Sequence, residues 1–538
     1  MKSTILNRFW FICILSSVSA YATDPQNIPS PRQGRDRVGL IGSTPVEVPS
    51  PRLGRDRVGL IAQADTGSPQ SLTESLPKHP RDLTYPELKF TLPDVNQTVL
   101  DNGLVIYLRE DHSLPVLDFY AMIRVGAIYD PADKLGLANL TGEVMRTGGT
   151  REQTGDQIDE ILEFIGASVE TSIEQERGIA RMGCLSKDLD TVLPIFAEIL
   201  MRPEFREEKI DLRKKEVLEN IRRRNDQPGD IVEREFQRVV YGDHPYGNPI
   251  EGEANTIVAI QRQDLVDFHQ RYYMPNNIIL GVAGDFNTTE MLDCLKEKFG
   301  GWERRDVDLP GLPDLLDGNV PEGGVFYFPK DLTQSNIRLG HLGIRRTDED
   351  YIPVRIMNFI LGGGSFSSRM MTSVRSDEGL AYNVYSYFEP KRDRGLFIAE
   401  AETKTESTLR AISLMKNEIR RICEEPVSEQ ELTTAKDSYL NRFVFNFTTT
   451  RNIVEQRVEL EYEGLPEDYL DTFCDKVSKV TQDDILRVAK KWLHPDSLRI
   501  VIVGNAENFG GAMSDLGTVR EMTLRDYAAE ADSARKPR

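Results

Sequence analysis

Histidine is scarce in this chain, with six among 538 residues. No two of them stand three or four positions apart. No helix therefore carries the paired imidazoles that a zinc site on one helical face requires. Basic charge is also short. Lys and Arg number 66 against 86 Asp and Glu, a formal charge of −20, which excludes a phosphate-tracking nucleic-acid surface and favours neutral or basic partners. Neither a Gly-x-Ser-x-Gly elbow nor a Gly-Lys-Ser/Thr triplet occurs, so no serine-hydrolase nucleophile and no P-loop is in view.

Long apolar runs are missing too, apart from one short stretch at the start. "FWFICILSSV" (Phe9 to Val18) follows Lys2 and Arg8 and precedes "AYA" at Ala20 to Ala22. This run is about half of the ~20 residues that cross a bilayer. Basic lead, short apolar core and small residues before a cut predict a signal peptide over residues 1–22, with an uncleaved anchor as the other reading. The expectation is an exported protein, periplasmic in a Gram-negative bacterium, with no transmembrane segment once the signal is removed. Five cysteines occur, and Cys13 lies in the apolar run. The remaining four, Cys184, Cys294, Cys423 and Cys474, are too widely spaced for a zinc knuckle or a CxxC motif. Disulfides are permitted in such a compartment, and buried free thiols are the default expectation.

What is present is repetition at two scales. "PSPRQGRDRVGLI" (Pro29 to Ile41) returns as "PSPRLGRDRVGLI" (Pro49 to Ile61). Two copies rich in proline, glycine and arginine are too few for a solenoid, so residues 23–90 read as a disordered leader. A leader that docks onto a partner is the alternative. A deeper repeat follows. "DLVDFHQRYYMPNNIILGVAGDF" from Asp264 and "DILRVAKKWLHPDSLRIVIVGNAENF" from Asp484 align so that Asp264, Pro275 and Gly284 meet Asp484, Pro495 and Gly504 at a constant offset of 220. Each copy predicts an amphipathic helix, a proline break and a buried strand. The chain thus reads as a duplicated domain, 91–305 and 325–510. Linker 306–324, with its Pro- and Gly-rich "LPGLPDLLDGNVPEGG", joins the halves, and 511–538 forms a tail. Alternating "GLVIYLRE" and "LDFYAMIRVGA", followed by helical "GDQIDEILEFIGA", predict an α+β class: two homologous domains, each an antiparallel-rich sheet packed with helices.

The ordered series "VLDNGLVIYL", "VGAIYDP", "GLANLTGEVM", "HPYGNPIEG", "YYMPNNIILGVAGDF" and "LGGGSFSSRMMTSVRSDEGLAY" resembles the insulinase/pitrilysin-type zinc metallopeptidases. The likeness is to their bacterial and mitochondrial-processing-peptidase-like branch and spans roughly residues 95–510. It implies paired homologous α+β domains, as the internal repeat does independently. Active members carry His-x-x-Glu-His on a helix, with two imidazoles holding zinc, the glutamate activating water, and a further glutamate downstream completing the site. On this sequence the two histidine positions hold Asn139 and Glu143, the base position holds Gly142, and the distal glutamate falls on Asn220. All four depart from the motif. His244 and His269 stand at positions that are usually structural.

The second half keeps more of the pattern. In the family an Arg/Tyr pair reaches from the non-catalytic domain toward the zinc site, and here it falls on Arg375 and Tyr382. A guanidinium and a phenol suit hydrogen bonds to a peptide backbone and to a developing oxyanion. Packing and a surface salt bridge are the plainer alternative. Gly362, Gly363 and Gly364 form a loop that the resemblance assigns to substrate handling.

The resemblance thus implies a non-catalytic, substrate-binding subunit of a heterodimeric zinc metallopeptidase, inactive alone and binding no cofactor itself. Zinc would sit in a homologous partner with intact His-x-x-Glu-His, and the substrate would be an extended peptide. The alternative is a peptide-binding or scaffold protein of the cell envelope with no protease partner.

Overall fold

The computed structural model describes residues 90–315 and 322–535. The signal peptide, the leader repeat and part of the linker lie outside the described residues.

Two six-stranded sheets organise the chain. The first comprises β1 (Asn96–Val99), β2 (Val105–Glu110), β3 (Val116–Ile123), β4 (Ser168–Ile173), β5 (Gly178–Leu185) and β6 (Ile278–Gly284), in the order β1-β2-β6-β3-β5-β4. The second comprises β7 (Gly324–Pro329), β8 (Gln334–Leu342), β9 (Ala381–Glu389), β10 (Leu396–Lys404), β11 (Arg499–Gly504) and β12 (Val519–Glu521), in the order β12-β7-β11-β8-β10-β9. Five positions are equivalent: β2-β6-β3-β5-β4 repeats as β7-β11-β8-β10-β9. In both, the first strand pairs parallel with the last and the other core pairs are antiparallel. The fold is the duplicated α+β expected from the repeat.

The halves differ at one outer edge. Beside β2 the chain uses β1, antiparallel and upstream. Beside β7 it uses β12, parallel and drawn from beyond residue 510. Within the segment expected to form a tail from residue 511, Val519–Glu521 therefore complete the second sheet. The segment then continues into a helix (Tyr527–Ala534) whose Tyr527 and Ala531 are buried.

The helices that matter for function are α1 (Leu137–Thr147), α2 (Glu207–Arg222), α3 (Pro228–Tyr241) and α4 (Arg262–Tyr272) in the first half. In the second half they are α5 (Tyr351–Asn358), α6 (Thr450–Glu463) and α7 (Gln482–Trp492). Each half has its own apolar core under one sheet face. The other faces are covered by exchange. Ile231, Val232, Phe236 and Val240 of α3 pack on Phe326, Ile398 and Val501 of the second sheet. Val454 and Val458 of α6 pack on Tyr120, Met122 and Ile279 of the first.

Gly281 in the central strand β6 permits the close approach, because a Cβ there would stand 2.6 Å from Val454 Cγ1. Charge then fixes the register of α6. Glu455 pairs with Arg181 at 2.7 Å, Glu459 with Arg177 at 2.7 Å and Glu461 with Arg124 at 3.1 Å. Burying a valine stabilises by about 1.5–3 kcal/mol, so the exchanged helices tie the halves into one folding unit.

Candidate functional site

Helix α1 carries the positions of the vacated zinc motif, and its placement follows from both ends. At its start Gly136 adopts φ +95, where a Cβ would stand 2.7 Å from Glu251 O. Asp130 reaches forward to accept from the backbone N–H of Gly136 at 2.8 Å and Ala138 at 2.9 Å, satisfying amides that a helix leaves open. Burial pushes the Asp130 carboxyl up to about 7, against the pull of these donors. At the other end Arg146 donates from Nε to Val169 O at 2.7 Å, across to edge strand β4.

Between these anchors the helix lies directly on β4. Thr171 Oγ1 donates to Gly142 O at 2.6 Å. A Cβ on Gly142 would stand 2.7 Å from Ile173 N and 2.8 Å from Ile173 Cγ1, so the base position has no room for any side chain. Asn139 is 9% exposed and its Oδ1 is buried without a hydrogen-bond partner. Glu143 is half-buried. Burial raises its pKa, and Arg213 of α2, 3.5 Å away, opposes that rise.

Asn220 lies exposed near the end of α2, and among the described residues no side-chain hydrogen bond joins it to α1. The α2 side chains that act on Glu143 are Arg213 and Glu216. Three of the motif positions thus share α1, and the fourth lies on α2.

The donor set does not fit zinc. It offers one neutral amide, one carboxylate held by an arginine and no space for a base. Among the described residues no group of three or more His, Cys, Asp or Glu side chains is placed to hold a metal ion. The described histidines have other partners. His269 Nε2 bonds Leu200 O at 2.8 Å, and burial lowers its pKa to about 4. His244 Nε2 bonds Pro313 O at 3.1 Å. His341 is buried, its pKa lowered to about 3, and it accepts from His494 N at 3.0 Å. The exposed His112 bridges Asp285 at 2.6 Å and Glu110 at 2.8 Å. All four cysteines outside the signal region are free.

The second half places an equivalent helix, α5, against edge strand β9. Asp350 stands at its N-cap position, 220 positions after Asp130, with its carboxylate turned to another helix rather than to the α5 amides. Here burial is overcome by Lys491 at 2.6 Å, Arg487 at 2.6 Å and Trp492 Nε1 at 2.9 Å, all on α7, and the carboxyl is held down to about 2. Helix α5 passes into a π-helical turn, Phe359–Gly363. Asn358 and Ser386 exchange two bonds, Nδ2 to Ser386 O at 2.9 Å and Ser386 Oγ to Oδ1 at 2.8 Å.

The glycines of this loop have packing reasons of their own. A Cβ on Gly362 would stand 2.5 Å from Ser386 N, on Gly363 2.8 Å from Asn358 Nδ2, and on Gly364 2.6 Å from Phe359 O. Their close approaches are to the protein itself.

Beyond them the chain builds an exposed platform. Ser365 takes φ +52, a conformation uncommon outside glycine and recurrent at functional sites. Phe366, next along, is 68% exposed, and Tyr382 is 82% exposed. Arg375, in the π-helix Met371–Asp377, stands between them, Cζ 4.9 Å from the Phe366 ring centre and 5.0 Å from that of Tyr382. Its guanidinium makes no hydrogen bond or ion pair with a described residue. The segment is held from behind by Arg369, whose fork meets Glu431 at 2.6 and 3.0 Å.

The structure places Arg375 beside Tyr382 and adds Phe366 to the pair. Its signal was a lone aromatic inside "GGGSFSS".

Comparison with known proteins gives the same picture. Residues 106–254 match the family described as "Insulinase (Peptidase family M16)", and residues 259–439 match "Peptidase M16 inactive domain". An uncharacterized zinc protease of Rickettsia felis is 26% identical over 407 residues, covering 74% of this chain and 94% of its own. One of Streptomyces coelicolor is 25% identical over 399 residues, 74% and 86%. Among solved structures, a peptidase M16 inactive domain from Pseudomonas fluorescens superposes with a TM-score of 0.71 at 25% identity, covering 77% of this chain and 98% of that one. A protease from Helicobacter pylori superposes at 0.68 and 20% identity, covering 77% and 100%.

Proposed function

The chain belongs to the insulinase family, peptidase family M16, and on that footing we propose that it is the non-catalytic, substrate-binding subunit of an exported heterodimeric zinc metallopeptidase. The observation that carries this reading is the contrast between the closed base position on α1 and the accessible Arg375–Tyr382 platform. The base position, Gly142, is closed by Ile173, so this chain cannot activate water there. Arg375 is half-buried and Tyr382 exposed, and neither side chain hydrogen-bonds to a described residue.

In the proposed assembly a homologous chain with intact His-x-x-Glu-His supplies metal and base. This chain supplies hydrogen-bond donors. Arg375 and the Tyr382 hydroxyl hold an extended peptide by its backbone carbonyls and orient it toward the partner. Positioning of this kind raises rate by restricting the bound geometry. Export rests on the signal-like residues 1–22, and a periplasmic location follows from it.

The test is to purify the chain alone and with a homologous exported chain carrying the motif. The isolated chain is expected to hold no stoichiometric zinc and to cleave no peptide. The mixture is expected to cleave peptides in a chelator-sensitive way. Zinc and chelator-sensitive hydrolysis in the isolated chain would overturn the proposal. An inactive mixture would favour a peptide-binding or scaffold role.

A further inference from the structure

The platform has a feature that peptide-backbone binding alone does not require. Backbone carbonyls are neutral and accept from any donor. Arg375 is instead a full cation flanked by two exposed aromatic rings, with Cζ within 5.0 Å of both ring centres, and with no acidic partner among the described residues. This chain carries a net charge of −20 and pairs most of its other arginines internally, as Arg369 with Glu431 and Arg181 with Glu455 show.

Two neighbouring rings restrict the direction of a guanidinium, leaving its N–H donors for a ligand. Parallel donors of that kind match a carboxylate, which takes two charge-assisted bonds where a carbonyl takes one. The backbone beneath is tied by local bonds: Ser368 Oγ donates to Ser365 O at 2.8 Å and Ser367 Oγ to Gly364 O at 2.7 Å.

We propose that Phe366, Arg375 and Tyr382 form a carboxylate-selecting fork, so that the preferred ligands are peptides presenting a free carboxylate. The carboxylate comes from an Asp or Glu side chain or from the peptide C-terminus, with an apolar neighbour resting on Phe366. This rests on the reading of the segment as peptide-binding and names the class of peptide it takes.

The test uses the whole mature chain and fluorescence anisotropy with three short labelled peptides of one sequence. One has a central Glu and an amidated end, one has Gln there and an amidated end, and one has Gln and a free C-terminal carboxylate. At moderate salt the Glu peptide, the free-end peptide or both should bind about tenfold more tightly than the amidated Gln peptide, a factor equal to one charge-assisted contact. The arm that gains identifies the source of the carboxylate. Arg375→Ala should abolish the preference, and Arg375→Lys should reduce it by keeping charge without the fork. Phe366→Ala, at an exposed position, should reduce it about threefold, the scale of one cation–π contact. Circular dichroism would confirm that each variant remains folded.

Equal binding of all three peptides, weakened for all by Arg375→Ala, would overturn carboxylate selection and leave the substrate-binding function standing. A preference that survives Arg375→Ala would also overturn it. If the unaltered chain bound none of the peptides, both the selection and the substrate-binding reading would fall.

Discussion

Helix α1 on β4 and helix α5 on β9 are the same construction carried out twice, with different polar chemistry. Each seats a glycine against an edge strand, Gly142 on Ile173 and Gly362 on Ser386. Each has an asparagine one turn earlier, and the extra residue between Asn358 and Gly362 is absorbed by the π turn. In the second half Asn358 is satisfied twice by Ser386, and Asp350 is charge-paired. In the first half Asn139 Oδ1 has no partner, and Asp130 is buried with backbone donors alone. The first half thus has the glycine seat of the second without its polar matching. On the proposed reading, a packing arrangement at Gly142 as well as the changed ligand positions sets this chain apart from a zinc peptidase, and replacing ligands one at a time would not reverse it.

The comparison can be broken most severely at the exchanged helices. Phe236→Ala removes a fully buried ring of α3 from the second sheet and is expected to lower stability by about 3–5 kcal/mol. Val458→Ala on α6 should lower it by about 1–3 kcal/mol. In calorimetry each should move one common transition of both halves. Two separable transitions, only one of them shifted, would show that the halves fold independently.

The glycine seats come next. Gly142→Ala and Gly362→Ala each place a Cβ inside contact distance of strand backbone and should destabilise by about 1–3 kcal/mol. Denaturant midpoints should fall by similar amounts for both. An unaffected Gly142→Ala would show that the first seat is open after all, and would reopen the question of the base position.

The asparagines should respond unequally. Asn358→Ala leaves Ser386 without its partners and should destabilise by about 1–3 kcal/mol. Asn139→Ala removes a buried oxygen that has no partner and should fall within about 0.5 kcal/mol of neutral. Equal losses at the two sites would contradict the difference in polar matching.

The remaining test lies in pH dependence, where the two aspartates should differ in sign. Asp130 has its folded pKa raised to about 7 from 3.8. Between those values the native state holds the extra proton, so this group lowers stability as pH rises. Asp350 has its folded pKa lowered to about 2 from 3.8. Its contribution is present above 3.8 and is lost as pH falls toward 2. Stability profiles of Asp130→Asn and Asp350→Asn, each set against the unaltered chain, should flatten in these separate windows. A change in the same window for both would sink the assignment.

Much of this was legible in residues alone. The 220-residue repeat gave the duplication, because buried strands and their proline breaks carry strong local patterns. The missing histidines exposed the vacated motif, since ligand chemistry admits few substitutes. Helix exchange was not legible: amphipathic periodicity in α3 and α6 says that one face is buried, not which sheet buries it. The closure at Gly142 is a contact between segments thirty residues apart, and Phe366 lacked any motif. The distal position was read onto Asn220; the pairing of Glu143 with Arg213, about two turns earlier on α2, depends on how the two helices pack, which chain spacing does not show. Residues 511–538 read as a tail because a three-residue strand and a short helix leave little periodic signal.

The central claim is that this chain contributes to peptide hydrolysis through Arg375 and Tyr382 while the metal chemistry belongs to another chain. It is tested most directly by turnover of a quenched fluorescent peptide in the reconstituted pair, with assembly followed by light scattering. Arg375→Ala and Tyr382→Phe in this chain should lower kcat by at least about tenfold while the pair remains assembled. Unchanged kcat in an intact pair carrying either variant would contradict the account.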